Sequence, residues 1–269
     1  MSVIESTSRM KRNVGTDKES VFEFPILIHD VKQGEDDWHA LRLGIPTGSR
    51  FDDIVTAVKC EPSKSSHKYM SELISERYIG QAAESFTSAA MERGHGMEAE
   101  AVAHYAAKRR MDPVKVGFVT NAARTVGVSP DRFLGEDELL EVKCPKPENH
   151  MEYLLASIDK VKRQSVAQKY KPQVQGQLWL TGRKRCVTLS YCPGFPPAVL
   201  EAERDDDYIE KLATAVVLFS QDLERIWLEL CERYPQYRPE DSHAKPDESA
   251  AFLTQDDVDW HVKQLRGQA

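Results

Sequence analysis

Apolar residues recur every three or four positions in several parts of the chain, which is the spacing of one face of an α-helix. The longest such run predicts a helix over residues 206–234. Shorter runs predict helices over residues 69–79 and 97–110. A further helix is predicted over residues 168–181, with Pro172 in its first turn, where a missing backbone N–H does no harm.

The middle of the chain changes to short runs of β-type sequence, separated by Asn, Pro, Gly and Asp turns. These runs predict strands over residues 114–120, 125–128, 138–144 and 187–192. Strands and helices mixed in this way are typical of an α/β fold. We therefore expect a central mixed β-sheet flanked by helices, with the 206–234 helix packed outside.

The two ends of the chain are polar. We expect residues 1–24 to form a disordered tail, and residues 236–269 to form a linker followed by a short C-terminal helix. One folded domain is then expected over residues 25–235, a length that suits a single core. Within it, residues 45–49 predict a turn that opens a helix, with Ser49 as the N-cap.

The composition is that of an ordinary globular protein, since 41% of the 269 residues are hydrophobic and 29% are charged. No apolar run reaches the roughly 18 residues that a membrane helix needs. Residues 1–20 also lack the apolar core of a secretory signal, so we expect a cytoplasmic protein with no membrane association. The five cysteines form no C-x-x-C pair, which argues against a disulfide framework and a zinc knuckle.

The formal net charge is −7, which taken alone disfavours a protein that coats nucleic acid. The charges are unevenly placed, however. Basic clusters occur at residues 108–110, 160–163 and 183–185, whereas acidic residues crowd 201–207 and 241–259. A local basic channel on an acidic protein therefore remains open, and net charge does not decide whether the chain binds nucleic acid.

The segment that carries chemistry is Ser129-Pro130-Asp131, followed by Glu141-Val142-Lys143. Side chains alternate between the faces of a strand, so Glu141 and Lys143 share one face, about 7 Å apart at the Cα atoms. Asp131 precedes the hairpin that leads into this strand and can fold back beside Glu141. Two carboxylates there would hold a hard divalent cation, while the lysine acts at the attacking water and the phosphate. The alternative is a half-exposed strand whose outer face happens to carry Glu and Lys.

A third carboxylate, Glu98, opens the predicted helix 97–110. Residues three, four and seven positions further on are Ala101, Val102 and Tyr105, which form an apolar stripe. A carboxylate on a buried face usually needs a partner or a metal. The alternative for Glu98 is an N-terminal charge that the helix dipole favours.

These residues resemble the signature of the PD-(D/E)XK nucleases and, more narrowly, of the phage lambda exonuclease family, also called YqaJ-type viral recombinases. Four blocks carry the resemblance, in the same order and at the same spacing, across about residues 31–195. They are Trp38 to Ser49 (W-x-x-x-R-x-G-x-x-T-x-S), Gly94 to Ala101 (G-x-x-x-E-x-x-A), Leu140 to Pro145 (L-E-x-K-C-P) and Tyr170 to Thr181 (Y-x-x-Q-V-Q-x-x-x-W-x-T). The resemblance implies that residues 25–235 are a PD-(D/E)XK nuclease domain.

The resemblance also implies roles for single residues. The metal ligands would be Glu98, Asp131, Glu141 and the Val142 carbonyl. Lys143 would be the catalytic lysine, supported by Gln173 and Tyr170. A terminal 5′ phosphate would be held by Arg42, Ser49 and Ser129, and Met91 would be a wedge that parts the terminal base pair.

The implied function is a Mg²⁺-dependent DNA exonuclease, in which Mn²⁺ can substitute. It would bind the ends of linear double-stranded DNA and resect one strand in the 5′-to-3′ direction, leaving a 3′ single strand for recombination. A homotrimeric ring around DNA and a single-strand annealing protein as partner are implied by the family only. Two alternatives stay open, a related endonuclease and a catalytically inactive DNA-binding accessory, although the intact lysine and carboxylates count against the second.

Overall fold

The structure is a computed structural model that describes residues 3–4, 25–82 and 89–239, with residues 3–4 and 89–95 described for their backbone alone. The α-helices are α1 (Asp36–Arg42), α2 (Phe51–Ile54), α3 (Ser66–Ile79), α4 (Ala89–Arg109), α5 (Pro147–Ile158), α6 (Lys160–Lys169), α7 (Lys171–Thr181) and α8 (Asp206–Arg233). The strands are β1 (Val3–Ile4), β2 (Ile26–His29), β3 (Val114–Lys115), β4 (Phe118–Asn121), β5 (Gly127–Val128), β6 (Arg132–Leu134), β7 (Glu138–Lys143), β8 (Arg185–Ser190) and β9 (Ala198–Glu203). Two 3₁₀ turns cover Gly48–Arg50 and Pro235–Tyr237.

The larger sheet has the strand order β3-β6-β7-β8-β9. Its strands pair antiparallel except for β7 and β8, which run parallel, so the expected mixed sheet is confirmed. Parallel neighbours need a long crossover, and α5, α6 and α7 supply it. The alternation of β7 sends Leu139 into a core with α7 and α8, and Leu140 into a second core with α4. Helices therefore flank both faces of this sheet, as predicted.

The smaller sheet has the order β1-β2-β4-β5 and is antiparallel throughout. A single bridge joins Thr47 to Gly127 at its edge. The 3₁₀ turn that follows Thr47 lies so close to β5 that a Cβ atom on Gly48 would come within 2.8 Å of Val128 Cγ1. This contact brings the 47–49 turn next to Ser129, the residue after β5.

Helix α8 covers the main core with the stripe that its sequence predicts. Leu212, Val216, Phe219, Leu223 and Trp227 are all buried, at three- and four-residue spacing. Helix α7 lies between α8 and the sheet, and most of its residues are buried. The predictions of helices at 69–79 and 206–234 are confirmed with small shifts at their ends, and the helix predicted at 97–110 is confirmed but begins eight residues earlier, at Ala89.

Two local predictions are wrong. Ser49 does not cap a helix, because α2 begins only after the 3₁₀ turn and its preceding residue is Arg50; the Ser49 hydroxyl instead accepts a hydrogen bond from Arg42. The strand predicted over residues 114–120 is two strands, β3 and β4, which belong to different sheets. The helix predicted over residues 168–181 is confirmed as α7, with Pro172 in its first turn, but residues 168–169 belong to α6, and the two helices meet at Tyr170 (φ −108°, ψ 7°). Pro172 explains the break, since its ring lacks a donor and clashes with the carbonyl four residues earlier.

The predicted tails fall mostly outside the described residues. Val3–Ile4 pairs with β2, and the description ends at residue 239, so disorder in 1–24 and the helix near the C-terminus stay predictions. Within the described ranges, no helix combines the length and apolar character needed to cross a bilayer.

Candidate active site

Strand β7 carries Glu141 and Lys143 on one face, as its alternation predicts. Lys143 Nζ lies 2.7 Å from Glu141 Oε1. Glu141 is only 5% exposed, and Leu139 on the same face is fully buried. The alternative of a half-exposed strand with a solvated Glu and Lys is therefore wrong.

Three donors hold the Glu141 carboxylate. Oε1 accepts from Lys143 Nζ and from Gln173 Nε2, both at 2.7 Å, and Oε2 accepts from Gln177 Nε2 at 2.8 Å. Gln173 and Gln177 lie one turn apart on α7, so their amides approach the same carboxylate. This network places Gln173 where the sequence predicted it and adds Gln177, which sequence reasoning missed. The only signal was its position four residues after Gln173.

Asp131 folds back beside β7, as predicted from the hairpin. Its Oδ2 accepts a hydrogen bond from the Val142 N–H at 2.6 Å. Burial raises the pKa of Asp131 well above its usual value, and the negative charges of Glu141 and Glu98 raise it further against the opposing effects of the Val142 N–H and Lys143. The carboxylates therefore repel one another across a space of low polarity.

The Lys143 ammonium is enclosed in this cluster. Burial acts to lower the pKa of Lys143, but the charge and hydrogen bond of Glu141 outweigh it, and the pKa is raised. The ammonium also lies 5.1 Å from the centre of the Tyr170 ring. Tyr170 thus stands beside Lys143, in agreement with its predicted place.

Glu98 does not open its helix, because α4 begins at Ala89, so the alternative of an N-terminal charge favoured by the helix dipole is wrong. Glu98 lies in the interior of α4, on the side where Ala101 and Tyr105 are buried as expected. Its partner is Arg132, whose Nη1 lies 2.7 Å from Glu98 Oε1. The same Nη1 donates to the Asp131 carbonyl at 2.6 Å. Arg132 was not predicted from the sequence, and it ties the Glu98 helix to the segment that carries Asp131.

The donor chemistry of this cluster suits a hard cation. Asp131 and Glu141 offer carboxylate oxygens, which Mg²⁺ prefers, and their mutual repulsion is what a divalent cation would relieve. Glu98 is engaged by Arg132 instead. Within residues 25–82 and 89–239, no three His, Cys, Asp or Glu side chains stand together in an arrangement ready for a metal ion. Asp131 and Glu141, two of the predicted ligands, are thus brought together. Glu98, the third, lies near them but is paired with Arg132.

A second cluster gathers Arg42, Ser49 and Ser129, which are far apart in the sequence. Arg42 Nη1 donates to Ser129 Oγ at 3.2 Å, and Nη2 reaches Ser49 Oγ at 3.4 Å. Trp38 completes the pocket, because its Nε1 donates to Ser129 Oγ at 3.0 Å and its ring lies 4.1 Å from the Arg42 guanidinium carbon. The three residues predicted to hold a phosphate therefore form one pocket, which Ser129 joins to Asp131 two residues later.

Among the described residues, Arg42 has no carboxylate partner in an ion pair. No Asp or Glu oxygen of the described residues lies within 4.0 Å of its guanidinium. Burial lowers the pKa of Arg42 to about 10, although Tyr69 and Glu76 act in the opposite direction. Arg42 remains cationic at neutral pH, and its pocket can accept an anion.

Met91, the predicted wedge, belongs to the backbone of α4, but its side chain lies outside the described part of the structure. Its role stays a prediction.

The fold has similar solved structures. Alkaline exonuclease LHK-Exo from Laribacter hongkongensis matches with a TM-score of 0.64 and 31% identity, over 75% of this chain and 99% of that chain. LHK-Exo in complex with dAMP matches with a TM-score of 0.63 and 32% identity, over the same shares. A phage-related exonuclease from Haemophilus somnus 129PT has a TM-score of 0.58 at 14% identity, over 69% and 96% of the two chains, and supports the fold alone.

The sequence also matches a known domain. No curated protein sequence matches the chain. Residues 37–184 match the profile of the YqaJ-like viral recombinase domain, and this range contains all the residues assigned above to the two clusters. Because the match spans more than half of the 269 residues, the chain belongs to the YqaJ-like viral recombinase family.

Proposed function

We propose that this protein is a Mg²⁺-dependent exonuclease that degrades one strand of linear double-stranded DNA from its 5′ end. The observation that carries the proposal is the position of the Arg42 pocket, two residues from Asp131 in the segment Ser129-Pro130-Asp131. A terminal phosphate in that pocket would lie next to the carboxylates. An endonuclease has no terminal phosphate to hold. The similarity to LHK-Exo, whose description is alkaline exonuclease, supports the same activity.

The proposed reaction is hydrolysis of a phosphodiester bond by water. Asp131 and Glu141, with the Val142 carbonyl and with Glu98 once it leaves Arg132, would hold Mg²⁺; Mn²⁺ can substitute. The bound cation would supply Lewis-acid stabilisation of charge at the phosphate. Lys143 holds its proton against Glu141, so its ammonium can orient the attacking water and offset charge on the phosphate.

The carboxylate of Glu141 must be held still for this role. Gln173 and Gln177 engage one oxygen each, so rotation of the carboxylate would break at least one hydrogen bond. Tyr170 packs beside Lys143 and limits where its ammonium can move. These contacts preorganise the site before substrate binds.

The test compares linear duplex DNA with the same sequence as a closed circle, in Mg²⁺ and in a chelator. An exonuclease consumes the linear form only, whereas an endonuclease also nicks the circle. An inactive DNA-binding accessory degrades neither. Labels on the 5′ or the 3′ end decide the direction, because 5′-to-3′ resection releases the 5′ label first. Asp131→Ala is the catalytic control, and cleavage of the circle would overturn the proposal.

The proposed assembly follows the family resemblance. A homotrimeric ring would encircle duplex DNA, and a single-strand annealing protein would take up the 3′ strand. Light scattering of the purified protein measures the first. Co-purification with the annealing protein of the same phage or host measures the second.

A further inference from the structure

Helix α6 is a strongly basic helix on the surface of the protein. Its ten residues contain no Asp or Glu, and none of them is buried. The chain as a whole has a net charge of −7, so this surface opposes the overall sign. The cationic residues of α6 are Lys160, Lys162, Arg163 and Lys169.

Folding uses only one of these four cations. Arg163 Nε donates to the Ala156 carbonyl at 3.0 Å and Nη2 to the Ser157 carbonyl at 2.7 Å, so Arg163 satisfies the end of α5. The three lysines form no ion pair with any described residue. Lys160 and Arg163 are also like charges three positions apart, which weakens a helix slightly. Apart from the contact of Lys169 with the Tyr170 ring, the described residues give the three lysines no partner.

The basic surface leads to the candidate active site through Tyr170. Lys169 Nζ lies 5.4 Å from the centre of the Tyr170 ring, and Lys143 Nζ lies 5.1 Å from the same centre. Lys162 and Lys169 share a helical face with Val166, and both Val166 and Tyr170 pack against the buried cluster of Tyr153, Ala156, Ala198 and Leu200. Lys169 at the end of α6 and the lysine beside Glu141 thus lie near the same aromatic ring.

We propose that Lys160, Lys162 and Lys169 of α6 bind the sugar–phosphate backbone of the DNA that enters the active site. The inference rests on the proposed function and names the surface that holds its substrate. A protein with a net charge of −7 repels DNA at long range, so a local excess of lysines without ion-pair partners among the described residues is what would concentrate the polyanion near the site. The contacts are to phosphates and carry no sequence preference.

The test uses two triple variants with the same change in net charge. Lys160→Gln, Lys162→Gln and Lys169→Gln remove the α6 cations. Lys59→Gln, Lys68→Gln and Lys184→Gln remove three exposed lysines that pair with Glu61, Glu72 and Asp137. Affinity for an end-labelled linear duplex is measured by fluorescence anisotropy over a series of NaCl concentrations. Ca²⁺ replaces Mg²⁺ so that the duplex stays intact.

We expect the α6 variant to bind much more weakly than the control variant. Each lost phosphate contact lowers the slope of log Kd against log salt by about 0.9, and costs on the order of tenfold in affinity at 0.1 M salt. Equal affinity and equal slope for the two variants would overturn the proposal. The variant with Lys160→Arg, Lys162→Arg and Lys169→Arg keeps the charge of α6 and should bind DNA like the wild type. If this variant also lost affinity, the shape of the helix rather than its charge would be needed, and the proposal would be overturned.

Two further outcomes distinguish DNA binding by α6 from the proposed nuclease function and from membrane binding. If the wild type binds linear duplex but does not cut it in Mg²⁺, the proposed nuclease function is refuted. The proposal that α6 binds DNA is then still decided by comparing the affinities of the two triple variants. Ile158 at the end of α5 and Val161 in the first turn of α6 are 82% and 77% exposed, as apolar residues of a membrane-binding surface would also be. If the α6 variant lost binding to phosphatidylserine vesicles but not to DNA, the surface would be a membrane contact and the proposal would fall.

Discussion

Replacement of Arg42 by alanine tests whether the enzyme recognises a DNA end. The guanidinium is oriented by Ser129 at 3.2 Å and Ser49 at 3.4 Å, and it packs 4.1 Å from the Trp38 ring. It forms no ion pair with a described carboxylate, so a terminal phosphate would be its natural counter-ion. Because Ser129 and Ser49 already orient the guanidinium, little binding energy is spent on ordering it.

The magnitude follows from the type of contact. A hydrogen bond to a charged group is worth about 1.5–3 kcal/mol, which is roughly a ten- to a hundredfold difference in rate or affinity. The wild type should therefore degrade ends that carry a 5′ phosphate faster than 5′-hydroxyl ends by this factor. Arg42→Ala should remove most of the difference. Arg42→Lys should restore only part, because an ammonium cannot replace the two-pronged contact of a guanidinium.

The assay compares two duplexes that differ only in the 5′ group of one strand, with the opposite end blocked, under single-turnover conditions in Mg²⁺. Arg225→Ala is the matched control, since Arg225 is exposed and already paired with Asp222 and Glu229. It changes the net charge equally and should leave the ratio of the two rates unchanged. General destabilisation slows both substrates alike. A wild type that does not distinguish the two ends would refute the assignment of the pocket.

Three other variants test the catalytic cluster. Asp131→Asn should lower cleavage at least about a hundredfold, because a cation ligand is lost. It should also raise the melting temperature of the protein, because repulsion from Glu141 is relieved. Near-normal cleavage would contradict the assignment of Asp131 as a ligand. Lys143→Ala should lower the single-turnover rate about a hundredfold while duplex affinity in Ca²⁺ changes little, and equal losses in both would make Lys143 a binding residue. Gln177→Leu removes a hydrogen bond to Glu141, which lowers stability, and also removes a buried Oε1 that has no partner among the described residues, which raises it. The two effects oppose each other, so the free energy of unfolding by urea should change by less than about 2 kcal/mol.

The residues whose placement depends on local periodicity could be predicted from the sequence. Strand alternation is a property of the backbone, so Glu141 and Lys143 had to share a face once residues 138–144 formed a strand. Asp131 could be placed because a hairpin returns the chain to its starting point, and Arg132 does pair with Leu140. The stripe on α8 was readable for the same reason, as one face of the helix is buried and the other is not.

Partners that depend on tertiary packing could not be predicted. Gln177 is 1% exposed on a helix that is buried on nearly every side, where no amphipathic stripe shows which residue faces the sheet. Arg132 lies in a strand of three residues, too short for its alternation to be read, and its contact with Glu98 joins elements that are far apart in the sequence. Ser49 was misread because its segment has the composition of a helix cap, whereas its hydroxyl serves Arg42.

The short segment that joins the Arg42 cluster to the carboxylates limits the length of the first product that the enzyme can release. From Ser129 to Asp131 the chain spans two residues, which is at most about 7 Å. Gln33 holds this path in place, since its Nε2 donates to the Val116 carbonyl at 2.8 Å and to the Pro130 carbonyl at 3.1 Å. One strand of duplex DNA advances about 3.4 Å per nucleotide along the helix axis, so a phosphate held at Ser129 leaves room for about one or two nucleotides before the carboxylates. The first products from a 5′-labelled strand should therefore be mono- or dinucleotides on a sequencing gel, and labelled fragments of many nucleotides would show that the phosphate is held elsewhere.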